Sequence, residues 1–183
     1  TGPDIPKLLG IEDQKLMQGS EGIEPADASG IKAASMALIL SSRETPVVWR
    51  GPMKMAAIKQ FIQDVNWGDL DFLIVDLPPG TSDEPLSVLQ LIPDLAGAII
   101  VTTPQEVSLL DSRKAVNMVK AMKLPVLGIV ENMSGLKCPH CQETINIFSS
   151  GGGERMAVEM DVPFLGAIPI DPQVCTLGDS GQT

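Results

Sequence analysis

The stretch Leu73-Ile-Val-Asp-Leu-Pro-Pro-Gly-Thr-Ser-Asp83 joins an apolar run to an acidic residue and a stiff turn. The apolar run predicts a buried strand over Phe72–Leu77, with Asp76 near its end. An acidic residue in that position is typical of a Walker-B carboxylate, which holds Mg²⁺, usually through water. The Pro-Pro-Gly turn that follows ends in a free backbone N–H group, which suits contact with a γ-phosphate. The alternative is a strand-ending aspartate that caps the helix region beginning at Glu84.

Apolar runs and helix-length segments alternate along the rest of the chain. Four more runs rich in Val, Ile and Leu are predicted as strands covered on both faces: Pro46–Trp49, Gly97–Thr103, Val126–Glu131 and Phe164–Pro169. The segments predicted as helices are Met53–Val65, Glu84–Leu91, Glu106–Met122 and Ser150–Met160. This alternation predicts an α/β fold with a mostly parallel, doubly wound sheet. Gly30–Ser42 is left open between strand and helix, and the first thirty residues are predicted as loop.

Polar residues follow several of the predicted strands. They are Asp76, Thr103–Gln105, Asn132 and Pro169–Asp171. Ligands of open α/β sheets bind beyond the carboxyl ends of the strands, so these positions are the candidate binding site. The Asn132 amide is suited to reading the edge of a base.

Composition narrows the class of protein. The 183 residues include 13 Lys and Arg against 23 Asp and Glu, a formal net charge of −10. This acidic balance argues against non-specific binding to nucleic acid or to an anionic membrane. No apolar run approaches the roughly 18 residues of a membrane-spanning helix. Three cysteines are too few for a disulfide scaffold, so we expect a reducing, cytoplasmic location.

The motif Cys138-Pro-His-Cys141 offers two thiolates at a spacing that can hold one metal. Zinc and iron–sulfur clusters normally take four ligands. The other two come either from His140 and Cys175 or from the same cysteines of a second copy on a two-fold axis. A structural zinc knuckle that orders the loop is a further alternative. A redox dithiol is disfavoured, because such motifs follow a strand and open a helix, whereas this one lies in a loop.

A glycine-rich loop, Ser149-Ser-Gly-Gly-Gly-Glu-Arg155, precedes a predicted helix and resembles a phosphate-binding loop. It lacks the Gly-Lys-Ser/Thr ending of a Walker A motif, and a flexible entry to the helix is the favoured interpretation. We find no other glycine-rich phosphate loop in the 183 residues.

Taken together, these motifs resemble the Mrp/ApbC family of iron–sulfur cluster carrier ATPases, relatives of MinD and ParA. The matching stretches are Gly2–Gly10, Trp49–Met53, Val75–Asp83, Thr102–Glu106, Glu131–Ser134, Cys138–Cys141, Ile147–Phe148, Gly151–Glu154 and Phe164–Pro172. They extend over nearly the whole chain. The Asp-Leu-Pro-Pro-Gly-Thr stretch and the Cys-Pro-x-Cys that follows Glu-Asn-Met-Ser are specific in combination.

The resemblance implies a MinD-like P-loop NTPase domain over residues 1–183, with a metal loop at 134–148. It implies that Asp76 is the Walker-B carboxylate for Mg²⁺ and ATP. It further implies a homodimer that shares a labile [4Fe–4S] cluster and transfers it to apo-proteins, with zinc in the site as isolated an alternative. The implied cluster ligands are Cys138 and Cys141, and the implied nucleotide contacts are Pro79, Gly80, Thr81, Asn132, Pro169 and Asp171.

Two departures from the family pattern qualify this expectation. The family's Gly-Lys-Gly-Gly-Val-Gly-Lys-Ser/Thr loop is absent, and the sequence stops shortly after Asp179-Ser-Gly, where the family continues. These two features predict a domain truncated at both ends, inactive by itself, whose ATPase activity belongs to a longer parent. Cys175 stands where no family cysteine is expected. The alternative function is a MinD-like adaptor or positioning ATPase with a structural zinc at Cys138 and Cys141.

Overall fold

The computed structural model describes residues 4–40 and 51–182, so the predicted strand Pro46–Trp49 lies outside the described residues. The chain forms two compact units. One is Asp94–Pro172, and the other combines the described parts of residues 1–93 and 173–183. The single-domain assignment of residues 1–183 stays a prediction.

The unit Asp94–Pro172 is built on a parallel three-stranded sheet. Its strands are β5 (Ala98–Thr102), β6 (Val126–Glu131) and β9 (Phe164–Ala167), in the order β5-β6-β9. Both pairings are parallel, with Val101 opposite Val130 and Val130 opposite Gly166. The crossover helices are α4 (Glu106–Ala121) and α5 (Gly152–Glu159). This arrangement confirms the predicted α/β fold with a parallel sheet.

A helical stripe on α4 explains why these residues fold as a helix against the sheet. Leu109, Ser112, Val116 and Val119 are buried and recur every three or four residues, which places them on one face. Leu109 and Val116 pack with Ile129 of β6 and with Met156 and Ala157 of α5. Fully burying each large apolar side chain contributes about 1.5–3 kcal/mol, so this cluster stabilises the unit.

The opposite face of the sheet is exposed. Ile99, Val101 and Leu165 are each more than half exposed, whereas Ile100 and Phe164 pack against the helical core. Side chains alternate between the two faces of a strand, so the helices cover one face of this sheet and leave an apolar face on the other.

The N-terminal part contains short elements in place of the predicted loop. After α1 (Ile5–Leu8) come two antiparallel hairpins and a 3₁₀ helix, which pack around Ile11, Ala26, Ala28, Ala33 and Leu38. The hairpins pair β1 (Met17–Gln18) with β2 (Ile23–Glu24) and β3 (Ala26–Ala28) with β4 (Ile31–Ala33), and the 3₁₀ helix is Met36–Leu38. The described part of Gly30–Ser42 therefore contains a strand followed by a helical turn. A helix that was not predicted, α6 (Pro172–Ser180), follows the sheet unit in the sequence.

The predicted strand Phe72–Leu77 is wrong. These residues form no strand with any described segment, and Phe72 and Ile74 are 84% and 89% exposed. A strand exists only where a neighbour supplies the hydrogen-bonded ladder, and no described residue does so here. The apolar side chains of this segment consequently stay in contact with solvent.

Two helices flank that segment and are joined by a buried carboxylate. They are α2 (Gly51–Gln63) and α3 (Asp83–Leu91). Glu84 is 6% exposed and accepts hydrogen bonds from Lys54 Nζ and Ser82 Oγ, both at 2.6 Å. The hydrogen bond from Lys54, followed by that from Ser82, lowers the pKa of Glu84 to about 2. Glu84 thus fastens the first turn of α3 to α2.

We expect Lys54→Met to lower the free energy of unfolding at pH 7 by about 1–2 kcal/mol, because it leaves a buried carboxylate short of its cationic partner. A lowered folded-state pKa means that this stabilisation is present above the ordinary pKa of 4.5 and is lost as pH falls toward 2. Urea unfolding between pH 7 and pH 3 measures it. The exposed Lys59→Met on the same helix is the control, and a constant difference between wild type and Lys54→Met across that range would contradict the prediction.

Candidate functional site

The predicted Walker-B segment is accessible. Asp76 is exposed, and it is followed by a turn in which Pro79, Gly80 and Thr81 are exposed as well. Gly80 has φ +88°, a conformation that glycine adopts without strain, and a Cβ at this position would meet nothing within 4 Å. The turn leads directly into α3, whose first turn is held by Glu84. The Asp76 carboxylate and the turn after it are therefore open to a ligand.

A second set of predicted residues lies at the carboxyl edge of the sheet. Asn132 directly follows β6, and its backbone N–H donates to the Thr102 carbonyl at 2.7 Å. Its side-chain Oδ1 accepts from the N–H of Met133 at 2.9 Å, so the Nδ2 amide group keeps its donors without a partner among the described residues. Pro169 and Asp171 are exposed in the segment after β9.

These two carboxyl ends are joined by backbone hydrogen bonds. The Ile168 N–H donates to the Glu131 carbonyl at 2.8 Å, and the Ser134 N–H donates to the Ile168 carbonyl at 2.9 Å. The structure therefore brings Asn132 and the start of the Pro169–Asp171 segment to one edge of the unit 94–172, as predicted from the strand order. Asp76 and its turn belong to the other compact unit.

The metal loop, residues 134–148, is a short antiparallel hairpin that carries the two cysteines at its tip. β7 (Leu136–Lys137) pairs with β8 (Thr144–Ile145). The Cys138 N–H donates to the Glu143 carbonyl, and the Gln142 N–H donates to the Cys138 carbonyl, both at 2.9 Å. Gln142 has φ +63°, which turns the chain back after Cys141. The cysteines thus occupy a tight turn fixed by its own backbone hydrogen bonds.

The Cys138 thiol has a lowered pKa. The backbone N–H groups of Cys141 and His140, followed by the Cys141 thiol, lower the pKa of the Cys138 thiol. Cys138 and Cys141 are both free of disulfide bonds. A thiol with a lowered pKa beside a second thiol suits metal binding, since the thiolate is the form that ligates metal.

The two cysteines of the hairpin do not make a complete ligand set by themselves. Among residues 4–40 and 51–182, no group of three or more His, Cys, Asp or Glu side chains is arranged to hold a metal ion. His140 is exposed, and Cys175 lies in α6, where its thiol donates to Asp179 Oδ2 at 3.8 Å. Neither residue completes a ligand set in the described part of the chain.

A buried carboxylate, Glu131, lies next in the chain to Asn132 and contacts the start of the cysteine hairpin. The motifs gave it no role. Glu131, the last residue of β6, is 1% exposed. Its Oε1 accepts from Ser134 Oγ at 2.5 Å and from the Gly151 N–H at 3.1 Å, and its Oε2 accepts from the Gly153 N–H at 2.6 Å. Burial raises the pKa of Glu131, but the hydrogen bonds from Ser134, Gly153 and Gly151 outweigh it and hold the pKa below its ordinary value.

The glycines of the loop Ser149–Arg155 allow its backbone to lie close to neighbouring residues. A Cβ on Gly152 would lie 2.6 Å from the Pro104 carbonyl oxygen, and one on Gly153 would lie 3.0 Å from Glu131 Cβ. Gly151, at φ +69°, caps α5. The backbone N–H groups at the start of α5 point at the Glu131 carboxylate, so an internal anion occupies the place that a phosphate takes in a phosphate-binding loop.

The parallel sheet with its crossover helices and the polar residues at its carboxyl edge define an α/β fold of the kind that binds nucleotides, and a hairpin of the same unit carries two free cysteines. The chain belongs to the ParA family of P-loop NTPases, because the family model described as "ParA: NUBPL iron-transfer P-loop NTPase" matches residues 1–183. This assignment confirms the resemblance drawn from the motifs.

Individual relatives agree with the family model. The chain is 51% identical over 181 residues to the iron-sulfur cluster carrier protein of Methanocaldococcus jannaschii, covering 98% of this chain and 62% of the relative. It is 52% identical over 188 residues to the cytosolic Fe-S cluster assembly factor CFD1 of Yarrowia lipolytica, covering 100% of this chain and 65% of the relative. The chain thus spans somewhat less than two thirds of the length of these curated relatives.

A solved structure extends the agreement to the backbone. The nucleotide-binding protein of Archaeoglobus fulgidus, solved in complex with ADP and with cobalt found by PIXE, superposes with a TM-score of 0.83 at 39% identity. The match covers 98% of this chain and 70% of that one. In the described part of the chain, no helix combines the length and apolar character needed to cross a membrane.

Proposed function

We propose that the protein containing this chain is an ATP-dependent iron–sulfur cluster carrier. In this proposal it binds a labile [4Fe–4S] cluster between two copies of the chain and transfers it to apo-proteins in the cytoplasm. The observation that carries the proposal is the disulfide-free Cys138–Cys141 pair at the tip of a hairpin. The relatives, an iron-sulfur cluster carrier protein and a cytosolic Fe-S cluster assembly factor, support the same function.

The number of sulfurs supports a shared cluster. A [4Fe–4S] cluster held by protein takes four cysteine thiolates. One copy supplies Cys138 and Cys141, and no further ligand is arranged around them in the described residues. Two copies related by a two-fold axis bring four identical ligands to one point, and the hairpin places the cysteines at a tip where a second copy can approach. Because the cluster is cargo, a site built from two separable halves suits its release.

Asp76 is the residue proposed to serve the nucleotide. Its exposed carboxylate is the hard oxygen donor that Mg²⁺ prefers, and Mg²⁺ bound there neutralises charge on the phosphates of ATP. The exposed turn Pro79–Thr81 offers the Gly80 and Thr81 backbone N–H groups to a terminal phosphate. The free amide donors of Asn132 are suited to the edge of the adenine. Pro169 and Asp171 border the same edge of the sheet.

Nucleotide turnover is proposed to act on the cluster through the turn after Asp76. Loss of the terminal phosphate removes the partner of that turn, and such segments commonly switch between two arrangements on hydrolysis. A change in the arrangement of the two copies alters the distance between their cysteine pairs. In this proposal ATP hydrolysis therefore controls loading or release of the cluster.

The test is to reconstitute the protein anaerobically with iron and sulfide, and then to measure iron, acid-labile sulfide, mass in solution and transfer to an apo-acceptor. About four iron and four sulfide per dimer, with transfer that depends on ATP, support the carrier. Stoichiometric zinc that iron does not replace indicates a structural metal instead. Equal transfer rates with ATP and with ADP would contradict the proposal that ATP hydrolysis controls cluster transfer.

A further inference from the structure

We propose that Glu131 is a positioning residue that closes the base of the metal loop and thereby limits the release of a bound metal cluster. The effect on cluster release rests on the proposed cluster-carrier function. The closure of the loop base by Glu131 concerns only the fold of this chain.

The contacts of the carboxylate reach both ends of the loop. Ser134 is the first residue of the loop, and its hydroxyl donates to Glu131 Oε1 at 2.5 Å. Gly151 and Gly153 are the residues to which the chain returns after the loop, and their N–H groups donate to the two carboxylate oxygens at 3.1 and 2.6 Å. One side chain therefore joins the point where the chain leaves the sheet to the point where it comes back.

The tip of the loop depends on that base. From Ser134 the chain passes through β7 to Cys138 and returns through β8. β7 and β8 pair over only two residues each, and a ladder this short has little stability by itself. At the base, the Ser134 N–H donates to the Ile168 carbonyl at 2.9 Å and the Ile170 N–H donates to the Gly135 carbonyl at 2.8 Å. Since so short a hairpin depends on its base for its position, the closure at Glu131 contributes to where the cysteines stand.

A neutral side chain of the same shape cannot reproduce these contacts. The carboxylate accepts three hydrogen bonds, two of them from backbone N–H groups that are covered by the protein. Glutamine has one acceptor oxygen, and its NH₂ group would face at least one of those N–H groups, donor against donor. The variant also loses the negative charge that the start of α5 favours. At least one N–H group at the base of the loop is therefore left without an acceptor.

Glu131 also lies between the proposed nucleotide contact and the metal loop in the sequence. The next residue, Asn132, is the proposed contact to the base, and Ser134 begins the metal loop. Only three residues separate Ser134 from Cys138, so a displacement of Ser134 reaches the cysteines. Closure of the loop base by Glu131 is thus a physical link between the edge of the sheet and the cysteine pair.

The experiment compares Glu131→Gln and Ser134→Ala with wild type in two measurements. Amide hydrogen exchange of the metal-free protein reports on the Cys138 and Gln142 N–H groups. Loss of a reconstituted cluster to an excess of iron chelator reports on retention. We expect both rates to rise about fivefold or more in Glu131→Gln, the equivalent of one net hydrogen bond, and by a smaller factor in Ser134→Ala. Exchange in β5 and β6 should change less.

The core variant Val116→Ala separates this effect from general destabilisation. Val116 is fully buried in α4 and touches no part of the loop, so it should lower global stability while the loop exchanges as in wild type. Unchanged loop exchange and cluster loss in Glu131→Gln would overturn the inference, as would acceleration spread equally over the whole unit. Should Glu131→Gln fail to fold, Ser134→Ala decides by the same criteria.

Failure of the proposed function gives a different result. A wild-type protein that binds no cluster contradicts the carrier, yet the exchange measurement still tests whether Glu131 closes the loop. In that case the release of Zn²⁺ to a chromogenic chelator takes the place of cluster loss. Equal Zn²⁺ release from wild type and Glu131→Gln would then overturn the claim that Glu131 limits the release of bound metal.

Discussion

Replacing Cys138 and Cys141 together by serine is expected to abolish cluster binding, reducing iron and acid-labile sulfide from about four each per dimer to background. In the proposed carrier the effect is complete, because this pair supplies every thiolate that one copy contributes, and no third ligand is arranged beside it in the described residues. Serine keeps the size of the side chain and removes the soft sulfur donor that iron–sulfur clusters require. The measurement is metal and sulfide analysis after identical anaerobic reconstitution.

Cys175→Ser is the matched control for this experiment. Cys175 lies in α6 and its thiol contacts Asp179 of the same helix, so its removal should leave iron and sulfide content unchanged. A double variant at Cys138 and Cys141 that keeps its cluster would contradict the assignment of these ligands. Loss of the cluster in Cys175→Ser would instead show that the ligand set includes Cys175.

Substituting Asp76 by asparagine is expected to lower ATP-dependent cluster transfer by on the order of 10- to 100-fold, the range found when a carboxylate in the outer shell of a metal is removed. Asparagine keeps the shape of the side chain and removes the charge that attracts Mg²⁺. The measurement is transfer to an apo-acceptor with saturating ATP, using the protein that carries this chain with its nucleotide-phosphate loop. Cluster content without nucleotide should not change.

Asp71→Asn is the control for Asp76→Asn. Asp71 is an exposed acid five residues before Asp76, and its substitution removes the same charge. If both variants reduce transfer equally, the effect comes from general electrostatics. If Asp76→Asn transfers as fast as wild type, Asp76 is not the Walker-B carboxylate. The alternative raised from the sequence, an aspartate that caps α3, is wrong, because Ser82 occupies the N-cap position of α3.

The predictable parts of the fold are those with a strong local pattern. β6 has the predicted bounds, Val126–Glu131, and α4 ends one residue before the predicted Glu106–Met122. Both carry continuous apolar runs or a helical stripe that few other structures satisfy. The two cysteines were also placed correctly in a loop, since glycine and proline flank them and no helix signal follows.

The features that sequence could not predict depend on partners distant in the chain. The hairpins of the first forty residues have strands of two or three residues, too short to give an alternating pattern. Phe72–Leu77 has the composition of a strand, but its state depends on a neighbour for its ladder. Glu131 was noticed only as part of a matching motif, because its partners Gly151 and Gly153 follow it by 20 and 22 residues.

Among the residues that the structure describes, the Phe72–Leu77 segment has no strand partner, and we expect this to affect how the chain behaves at high concentration. With Phe72 and Ile74 almost fully exposed, the segment can pair as a strand with another molecule, which is the first step of aggregation. Pro78 and Pro79 have no N–H group to donate, so they stop such a ladder from growing into the turn. A charged substitution at Ile74 would act as a gatekeeper and keep the isolated chain dispersed.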